Sequence, residues 1–349
     1  MIRILHDQFT QLGGAEKVAL NLTKILHSNQ IFTSISRTPV LIPDERSIQI
    51  IDYWHNPSKL QCSLPQLFPK QYQESFLRVG EIYKDDRMVA SSTGWSHLAA
   101  LRNQNLTVYC HGPNRVMYFP EELKSSFVAL YSKSIYRKYR QRDQEAMYAA
   151  NLILTNSLRS SNRISLVYGL KAKVVYPPAK IFTTHQTPVP NLPNKFILIV
   201  GRNRRYKNHE ILIQVSHKLR NVNFVFVGGS DNGRKDGIYR IGKVTESELL
   251  WLYKNCQFVI SIGEEDLGLV PAEAASLGKP SLGLRGFGAS EVIVDGKSGL
   301  FCDLTVDSII DGIERMSTYH FSNSDIVESS YKFSVENFAI NLKRELNLC

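Results

Sequence analysis

The chain has few cysteines and no long hydrophobic run, and both shortages limit what it can be. Its five cysteines, at positions 62, 110, 256, 302 and 349, are odd in number and lack the paired spacing of a zinc site. They predict no structural metal and favour a reducing cytoplasm over an oxidising compartment. No apolar stretch approaches the roughly 20 residues that a membrane helix needs, so we expect no membrane-spanning segment.

Several short motifs of nucleotide and metal sites are also missing. Gly13-Gly14-Ala15-Glu16 follows the first predicted strand where a dinucleotide site would have G-x-G-x-x-G, which disfavours an NAD enzyme. No D-x-D triplet occurs, so we expect neither a required divalent metal nor a bound cofactor. The N-terminal residues Met1–His6 have the pattern of a strand entering a turn rather than of a signal peptide.

The charge of the chain is unevenly distributed. The 349 residues, 43% hydrophobic and 21% charged, have the composition of a globular protein and suffice for two domains. The net charge is +10, and residues 1–180 hold the whole excess, with 23 Lys and Arg against 13 Asp and Glu. Such a one-sided field favours an anionic partner, namely a lipid surface, a phosphorylated acceptor or a nucleic acid. A solvated basic surface without a specific partner is the alternative.

Short apolar runs alternate with helical patterns, which predicts parallel sheets with helices on both faces. Five prolines between Pro177 and Pro193 predict a linker, so we expect one domain over residues 1–180 and a second over 181–323. Ser324–Leu346 has the pattern of a final helix within a last segment, residues 324–349. The predicted strands are Ile2–His6, Ile31–Ile35, Ile48–Ile51, Met88–Ser91, Thr107–Cys110, Leu152–Thr155, Val174–Tyr176, Phe196–Val200, Phe224–Val227, Phe258–Ile262 and Pro280–Leu284.

The chemically informative residues follow predicted strands. Gly13-Gly14 comes after the first strand, His111 after Thr107–Cys110, Arg202 after Phe196–Val200 and Glu265 after Phe258–Ile262. Ligands of open parallel sheets bind beyond the carboxyl ends of the strands. The sequence therefore predicts a ligand-binding edge in each domain, and two such edges would form a facing cleft.

Two carboxylates eight positions apart give the most specific pattern. Glu265 lies in a loop after a predicted strand, and Glu273 is expected in the first turn of a helix that has Pro271 in the same turn and Gly278 at its end. The positive end of that helix favours a phosphate, while the carboxylates accept hydrogen bonds from sugar hydroxyls, so the segment is a candidate cradle for a nucleotide sugar. Acids are also favoured near helix starts without any ligand.

Four other patterns are each open to two interpretations. Arg202 and Lys207 flank a polar loop that suits a diphosphate or simply faces water. Gly13-Gly14 opens a helix and favours an anion or only a tight turn. His111 is either functional or a satisfied structural histidine. The basic segment Lys133–Arg142, with Tyr131, Ile135 and Tyr139 on one helical face, fits an anionic membrane surface or an ordinary packed surface helix.

Together these segments resemble the retaining GT-B glycosyltransferases of glycosyltransferase family 4. The most specific element is E-x7-E at Glu265 to Glu273, joined by G-R-x4-K at Gly201 to Lys207 and by the Gly13-Gly14 loop. Asn156-Ser157 with Val175–Pro178, and Glu291–Gly299, also look like family segments. Cys110–Pro113 with Arg115 looks most like bacterial mannosyltransferases that use GDP-mannose. Leu267 replaces a common Phe, and Phe287-Gly288 replaces a common Gly-Gly pair.

The resemblance implies a role for each candidate residue. Two Rossmann-like α/β domains would face each other, and the last segment, 324–349, would cross back to the first domain. The donor diphosphate would contact Arg202, Lys207 and the closing Gly13-Gly14 loop. Glu273 would bind the ribose, and Glu265 and His111 would bind the transferred sugar. The backbone amides of Leu267, Gly268 and Leu269 would contact the phosphate or the sugar. The backbone near Gly242 and Val244 would contact the base.

The sequence thus predicts a retaining, metal-independent hexosyltransferase acting in cell-surface glycan synthesis. We expect a nucleotide diphosphate sugar as donor, GDP-mannose before a UDP-sugar, and a saccharide acceptor carried on a lipid diphosphate. The enzyme would be cytoplasmic, with a peripheral attachment to the inner face of the membrane. One rival is a sugar-nucleotide epimerase or hydrolase of similar build. A basic nucleic-acid-binding protein is a weaker rival, because it leaves Glu265 and Glu273 unexplained, so we expect no nucleic acid partner.

Overall fold

Each half of the chain builds a predominantly parallel sheet. The computed structural model describes residues 2–10, 13–36, 48–54, 57–58, 61, 68–123, 136–179, 184–202, 204–229 and 232–348. The chain divides into two units, Met1–Tyr176 and Pro177–Cys349. The boundary falls at the start of the proline-rich segment, four residues before the predicted one. That the last segment returns to the first domain stays a prediction.

The first unit has a seven-stranded sheet among its described residues, with every neighbouring pair parallel. Its order is β3-β2-β1-β4-β5-β6-β7. The strands are β1 Ile2–Phe9, β2 Gln30–Ser36, β3 Gln49–Asp52, β4 Arg87–Ser92, β5 Leu106–Cys110, β6 Leu152–Thr155 and β7 Lys173–Val174. The helices are α1 Gly14–Ile25, α2 Pro69–Ile82, α3 Arg115–Tyr118, α4 Arg140–Ala149 and α5 Leu158–Tyr168, with 3₁₀ turns at Ser96–Leu101, Pro120–Leu123 and Tyr136–Tyr139.

The second unit repeats this plan with a sheet of order β10-β11-β9-β8-β12-β13-β14. Among the described residues of this sheet, only the edge strand β10 is antiparallel to its neighbour. The strands are β8 Ile197–Val200, β9 Phe224–Val227, β10 Gly233–Lys235, β11 Ile238–Ile241, β12 Val259–Ser261, β13 Ser281–Leu284 and β14 Gly299–Cys302. The helices are α6 His209–Lys218, α7 Glu246–Asn255, α8 Leu269–Ser276, α9 Ala289–Val292, α10 Val306–Thr318, α11 Asn323–Ser330 and α12 Val335–Glu345, with 3₁₀ turns at Arg205–Lys207 and Tyr331–Phe333.

The strand β9 shows why apolar runs rather than alternating patterns mark these sheets. Phe224 and Phe226 pack with residues of α6 and α10 on one face. Val225 and Val227 pack with residues of α7 on the other face. Both faces are therefore covered by helices, as in other parallel sheets, and burying each Phe contributes about 1.5–3 kcal/mol.

The strand order reverses once in each sheet, and the reversal locates the candidate sites. In the first sheet the chain runs outward in opposite directions from β1 and β4, and in the second from β8 and β12. Connections from two adjacent strands then leave on opposite sides, which opens a crevice at their carboxyl ends. Gly201-Arg202 follows β8 and Gly263–Asp266 follows β12, so these residues lie at the switch point of the second sheet.

Two helical predictions differ from the structure or extend beyond its description. The predicted final helix is two helices, α11 and α12, because the Ser334 hydroxyl caps a new helix by accepting from the Asn337 amide at 3.0 Å. Tyr131 and Ile135 lie outside the described residues, while Tyr136–Tyr139 is a 3₁₀ turn before α4. In the part of the chain that the structure describes, helices long and apolar enough to span a membrane are absent.

Candidate functional site

The candidate site of the second unit is built from the two loops that leave β8 and β12. The first loop runs from Gly201 through a 3₁₀ turn, Arg205–Lys207, into α6. The second runs from Ile262 to Gly268, where α8 begins. Because β8 and β12 are paired neighbours in the sheet, their loops are placed side by side.

An ion pair joins the cation of the first loop to the acid of the second. Lys207 Nζ lies 2.7 Å from Glu265 Oε1, with side-chain exposures of 12% and 22%. Glycines leave room for the lysine side chain: a Cβ on Gly201 would lie 3.4 Å from Nζ, and one on Gly263 would lie 3.2 Å from Cδ. The lysine is thus held in one direction, close to solvent but mostly withdrawn from it.

Asn208 ties the same two loops together through its side chain. Its backbone has a positive φ of 57°, and its Nδ2 donates to the Ile262 carbonyl at 3.0 Å and to Glu264 Oε1 at 3.2 Å. The Glu264 amide donates to the Tyr206 carbonyl at 2.8 Å. The repulsion expected between the neighbouring acids is offset, because Glu264 and Glu265 each have a separate partner.

Gly288 supports the acidic loop from a third side. Its amide donates to the Glu265 carbonyl at 2.9 Å. A Cβ at this position would lie 2.5 Å from the backbone N and Cα of Leu267, closer than real atoms approach. Phe287-Gly288 departs from the Gly-Gly pair that is common in the family. Its second residue is still a glycine, which the close approach of the Leu267 backbone requires.

We expect Gly288→Ala to damage the site by displacing the acidic loop. Its φ of −55° and ψ of −28° suit alanine, so the overlap with the backbone of Asp266 and Leu267 is what opposes the change. Overpacking of this kind costs about 1–3 kcal/mol, and urea denaturation should register it. Gly286→Ala is the matched control, because it adds backbone strain at φ +80° but its Cβ would meet open space. A free energy of unfolding for Gly288→Ala within about 0.5 kcal/mol of the natural chain would contradict the steric explanation.

The start of α8 presents backbone amides next to the acidic loop. The helix begins at Leu269 behind Gly268, which provides no side-chain cap, and Leu267 and Gly268 are buried. The first amides of a helix have no partner inside it and attract an anion. Gly278, with φ +71°, lies just past the helix end, as predicted.

Glu273 belongs to a different turn of α8 from the one that the sequence indicated. Because α8 begins at Leu269, Glu273 is its fifth residue and belongs to the second turn rather than the first. Its Oε2 accepts a hydrogen bond from the Tyr253 hydroxyl at 2.7 Å. Burial raises the pKa of Tyr253 well above its usual value, and the charges of Glu273 and Glu265 raise it further. Tyr253 is therefore neutral at neutral pH, and both carboxylates of the E-x7-E motif favour its neutral form.

The remaining donor-side candidates of the second unit differ in exposure. Arg202 is exposed at the start of its loop, and Val244 is half-buried before α7. Gly242 is buried, and its amide donates to Asn232 Oδ1 at 2.7 Å while its carbonyl accepts from the Gly228 amide at 3.1 Å. The backbone of Gly242 is thus engaged within the unit itself.

The glycine pair of the first unit opens α1 as expected, and its first amide has a partner. Gly13 is the residue before the helix, and its amide donates to Glu16 Oε2 at 2.9 Å. The Gly13 carbonyl accepts from the Lys17 amide at 3.0 Å. Glu16 therefore supplies one half of a capping box, while glycine has no side chain to supply the other half.

His111 follows β5 and is held by the neighbouring strand β4. Its amide donates to the Ser92 carbonyl at 2.9 Å, and its Nε2 lies 2.8 Å from Ser91 Oγ. Burial lowers the pKa of His111 to about 3, and the nearby His6 contributes in the same direction. The imidazole is consequently neutral at neutral pH.

A second histidine of the first unit belongs to a buried network that the sequence did not indicate. His97 Nδ1 lies 2.9 Å from Ser92 Oγ, and its Nε2 lies 3.0 Å from Asp143 Oδ1. Asp143 Oδ2 accepts from the hydroxyls of Tyr118 at 2.6 Å and Tyr168 at 2.9 Å. Although Ser, His and Asp follow one another as in a hydrolase triad, all three are at most 2% exposed, so no substrate reaches the serine and the network is structural.

The candidate residues could be found from the sequence. The residues that hydrogen-bond to them and hold them in place were missed. Asn208 adjoins the G-R-x4-K element, and asparagine tolerates the positive φ it adopts, which is a usable signal. Tyr253 gives no such signal, because it reads as one apolar position of α7. His6 and Ser91 come together only through the register of β1 and β4.

Comparisons of the sequence with known proteins find glycosyltransferases. Residues 181–333 match the family model described as "Glycosyl transferases group 1", and this range contains every candidate from Arg202 to Glu273. A curated relative, alpha-1,3/1,6-mannosyltransferase ALG2 of Dictyostelium discoideum, is 25% identical. The match spans 35% of this chain and 35% of that protein, or about a third of each.

Solved structures match over essentially the whole chain. HepE of Anabaena in complex with UDP is 17% identical with a TM-score of 0.74, and the match covers 100% of this chain and 100% of that one. Sucrose-phosphate synthase of Thermosynechococcus elongatus is 16% identical with a TM-score of 0.72, over 99% of this chain and 98% of that one. At these identities the likeness establishes the fold, which is α/β and of the GT-B type. With the group 1 match, it supports a GT-B glycosyltransferase.

Proposed function

We propose that this chain, a GT-B glycosyltransferase with its group 1 domain at residues 181–333, transfers a hexose from a nucleotide diphosphate sugar to a saccharide acceptor. The observation that carries the proposal is the ion pair between Lys207 and Glu265 beside the open start of α8. It places a cation, a carboxylate and the first amides of a helix at one switch point. A diphosphate and a sugar hydroxyl need these groups.

The phosphate end of the proposed donor is the better supported end. Lys207 and the exposed Arg202 are cations on the same loop, and the amides at Gly268 and Leu269 begin a helix. As the bond to the sugar breaks, negative charge grows on the leaving diphosphate. Fixed cations and a helix N-terminus stabilise that charge without rearrangement, which is the main way this site would lower the barrier.

The sugar end is assigned to the carboxylates. Glu265 is directed by Lys207, and we propose that it accepts hydrogen bonds from hydroxyls of the transferred sugar. Glu273, directed by the Tyr253 hydroxyl, would accept from the ribose hydroxyls. We further propose that the amide of Leu267 contacts the sugar, that backbone near Val244 contacts the base, and that His111 and the Gly13-Gly14 loop contribute from the first unit.

We propose that transfer retains the configuration at the anomeric carbon. The bond between this carbon and the leaving phosphate oxygen breaks, and a bond to the acceptor oxygen forms on the same face. The acceptor proton passes to the leaving phosphate, so no protein base is required. Water must be kept from the anomeric carbon during this step to limit hydrolysis.

Mannose carried on GDP is the donor we favour. The mannosyltransferase name of the ALG2 relative supports the sugar, and the resemblance of Cys110–Pro113 to GDP-mannose enzymes supports the base. We propose a lipid-diphosphate saccharide as acceptor and a peripheral position at the cytoplasmic membrane face. Arg137, Lys138 and Arg142 are exposed around Tyr139 on the basic half of the chain, which suits an anionic surface.

A thermal-shift panel of GDP-mannose, UDP-glucose and ADP-glucose tests the proposal. We expect GDP-mannose to give the largest stabilisation, about 2.7 kcal/mol at a concentration of 100 times Kd. Lys207→Ala should lose most of this shift, whereas Arg204→Ala, a change of an exposed cation in the same loop, should keep it. No shift with any nucleotide sugar would overturn the function. A larger shift with UDP-glucose would replace the donor and leave the transfer proposal standing.

Acceptor dependence separates the proposed transferase from the rival epimerase or hydrolase. The two activities use the same donor contacts, so binding data do not distinguish them. Incubation with the donor alone should leave it largely intact, because transfer needs an acceptor hydroxyl. Rapid formation of an isomer or a free sugar without acceptor, followed by chromatography, would favour the rival.

A further inference from the structure

The neighbouring strands β1, β4 and β5 bring the side chains of His6, Ser91 and His111 into a row. His6 of β1 is paired in register with Ser91 of β4, and Ser91 is paired with Tyr109 of β5, two residues before His111. His6 and Ser91 are at most 1% exposed. Neither residue has a role in the donor contacts proposed above.

The hydrogen-bond roles in this row follow from its first member. His6 Nδ1 lies 2.9 Å from the Ser91 carbonyl oxygen and 3.2 Å from Ser91 Oγ. A carbonyl oxygen only accepts, so His6 Nδ1 carries the proton and points it toward Ser91. Ser91 Oγ therefore receives a donor on its His6 side.

The hydroxyl proton of Ser91 then has one acceptor among its described hydrogen-bond partners. That acceptor is His111 Nε2, at 2.8 Å. If Nε2 were protonated instead, the hydroxyl would face two donors and its own proton would stay unpaired in a buried site, at a cost of about 1–3 kcal/mol. The proton of His111 consequently resides on its other nitrogen, Nδ1.

We infer that Ser91 and His6 are positioning residues that hold His111 as the Nδ1–H tautomer, so that it meets the substrate as a hydrogen-bond donor and not as a base. The inference rests on the proposed function only in assigning the substrate contact to His111. A neutral N–H donor suits a sugar hydroxyl oxygen. The lowered pKa of His111 agrees with this role, because the ring does not take up a proton at neutral pH.

Nitrogen-15 NMR of the full chain with labelled histidine tests the tautomer without any substrate. Long-range proton–nitrogen correlations at neutral pH distinguish protonated from unprotonated ring nitrogens, and His111→Gln identifies the signals among the nine histidines. We expect Nδ1 protonated and Nε2 unprotonated in the natural chain. An Nε2–H tautomer in this spectrum would overturn the inference, whatever the variants do.

Neighbouring serines provide a matched pair of variants. Ser91→Ala removes the donor to His111, so we expect its Nδ1–H tautomer to give way to a mixture. Ser92→Ala removes the hydroxyl 2.9 Å from His97 Nδ1 and should leave the His111 signals unchanged. His6→Asn, which retains an N–H donor, should preserve the tautomer better than His6→Phe. Unchanged His111 signals in Ser91→Ala would contradict the positioning role.

Kinetics then separate this inference from the proposed function. With an active donor, Ser91→Ala should lower turnover roughly fivefold to tenfold, the value of one hydrogen bond, with little change in the donor KM. An unchanged turnover beside an altered tautomer would overturn the contribution of His111 to the reaction. Absence of transfer in the natural chain beside the expected tautomer would overturn the proposed function and leave the positioning network standing.

Discussion

Lys207→Ala should lower turnover roughly 100- to 1,000-fold, the loss seen when one preorganised electrostatic group is removed from a transition state. The ammonium is fixed 2.7 Å from Glu265 and only 12% exposed, so water does not replace it fully. Steady-state assays of nucleotide diphosphate release should show the loss mainly in kcat. The midpoint of urea unfolding should change far less, because Glu265 keeps some access to solvent.

Matched variants separate the charge of Lys207 from its effect on Glu265. Arg204→Ala and Arg205→Ala remove exposed cations from the same loop and should keep turnover within about twofold, as expected for solvated charges. In a double-mutant cycle, Glu265→Gln and Lys207→Ala should not be additive, since the side chains are in contact. Near-natural turnover of Lys207→Ala would remove the diphosphate assignment.

Asp143→Ala should destabilise the first unit by about 3–5 kcal/mol, the usual result of removing one partner from a buried charged network. The carboxylate is 2% exposed and accepts from two tyrosine hydroxyls, while His97 lies 3.0 Å away. Without it, the hydroxyls of Tyr118 and Tyr168 lose their acceptor. Asp143 lies on α4, Tyr168 on α5 and His97 on the 3₁₀ turn at Ser96–Leu101, so the substitution should loosen the packing of these three elements.

Tryptophan fluorescence during urea denaturation can report this loss for one unit alone. The three tryptophans are Trp54 and Trp95 in the first unit and Trp251 in the second, so a Trp251→Phe background restricts the signal to the first. Asp143→Asn keeps one acceptor oxygen and should lose less. Glu145→Ala, an exposed change on the same helix, should cost at most about 0.5 kcal/mol. Similar midpoints for Asp143→Ala and Glu145→Ala would contradict a structural role of the network.

Most of the sheet architecture could be predicted because its strands are apolar runs. Phe224–Val227 is covered on both faces, and its sequence shows no polar interruption. Three strands were not predicted: β10, β11 and β14. β10 is a short exposed edge with the sequence Gly-Arg-Lys, β11 carries the charged Arg240, and β14 begins with a glycine. Edge position and pairing, rather than composition, decide these strands.

The candidate site was predictable where one loop carried its own signal. Lys207 and Glu265 each follow a strand, and the strand order that brings their loops together is a general property of open parallel sheets. The turn assigned to Glu273 was wrong, because α8 begins at Leu269, which makes Pro271 its third residue and Glu273 its fifth. Contacts that depend on register or on neighbouring helices, such as Ser91 with His6 and Tyr253 with Glu273, leave no trace in a single sequence.

The bonds among the loops at residues 206, 262–265 and 288 have a consequence for how sugar preference can evolve. Tyr206 holds the Glu264 amide, Asn208 holds the Ile262 carbonyl, and Gly288 holds the Glu265 carbonyl. The main chain is thereby braced independently of its side chains. Leu267, which we propose contacts the sugar, can therefore be exchanged while the amides stay in place, and a small library of substitutions there should change the proposed sugar preference without displacing the loop.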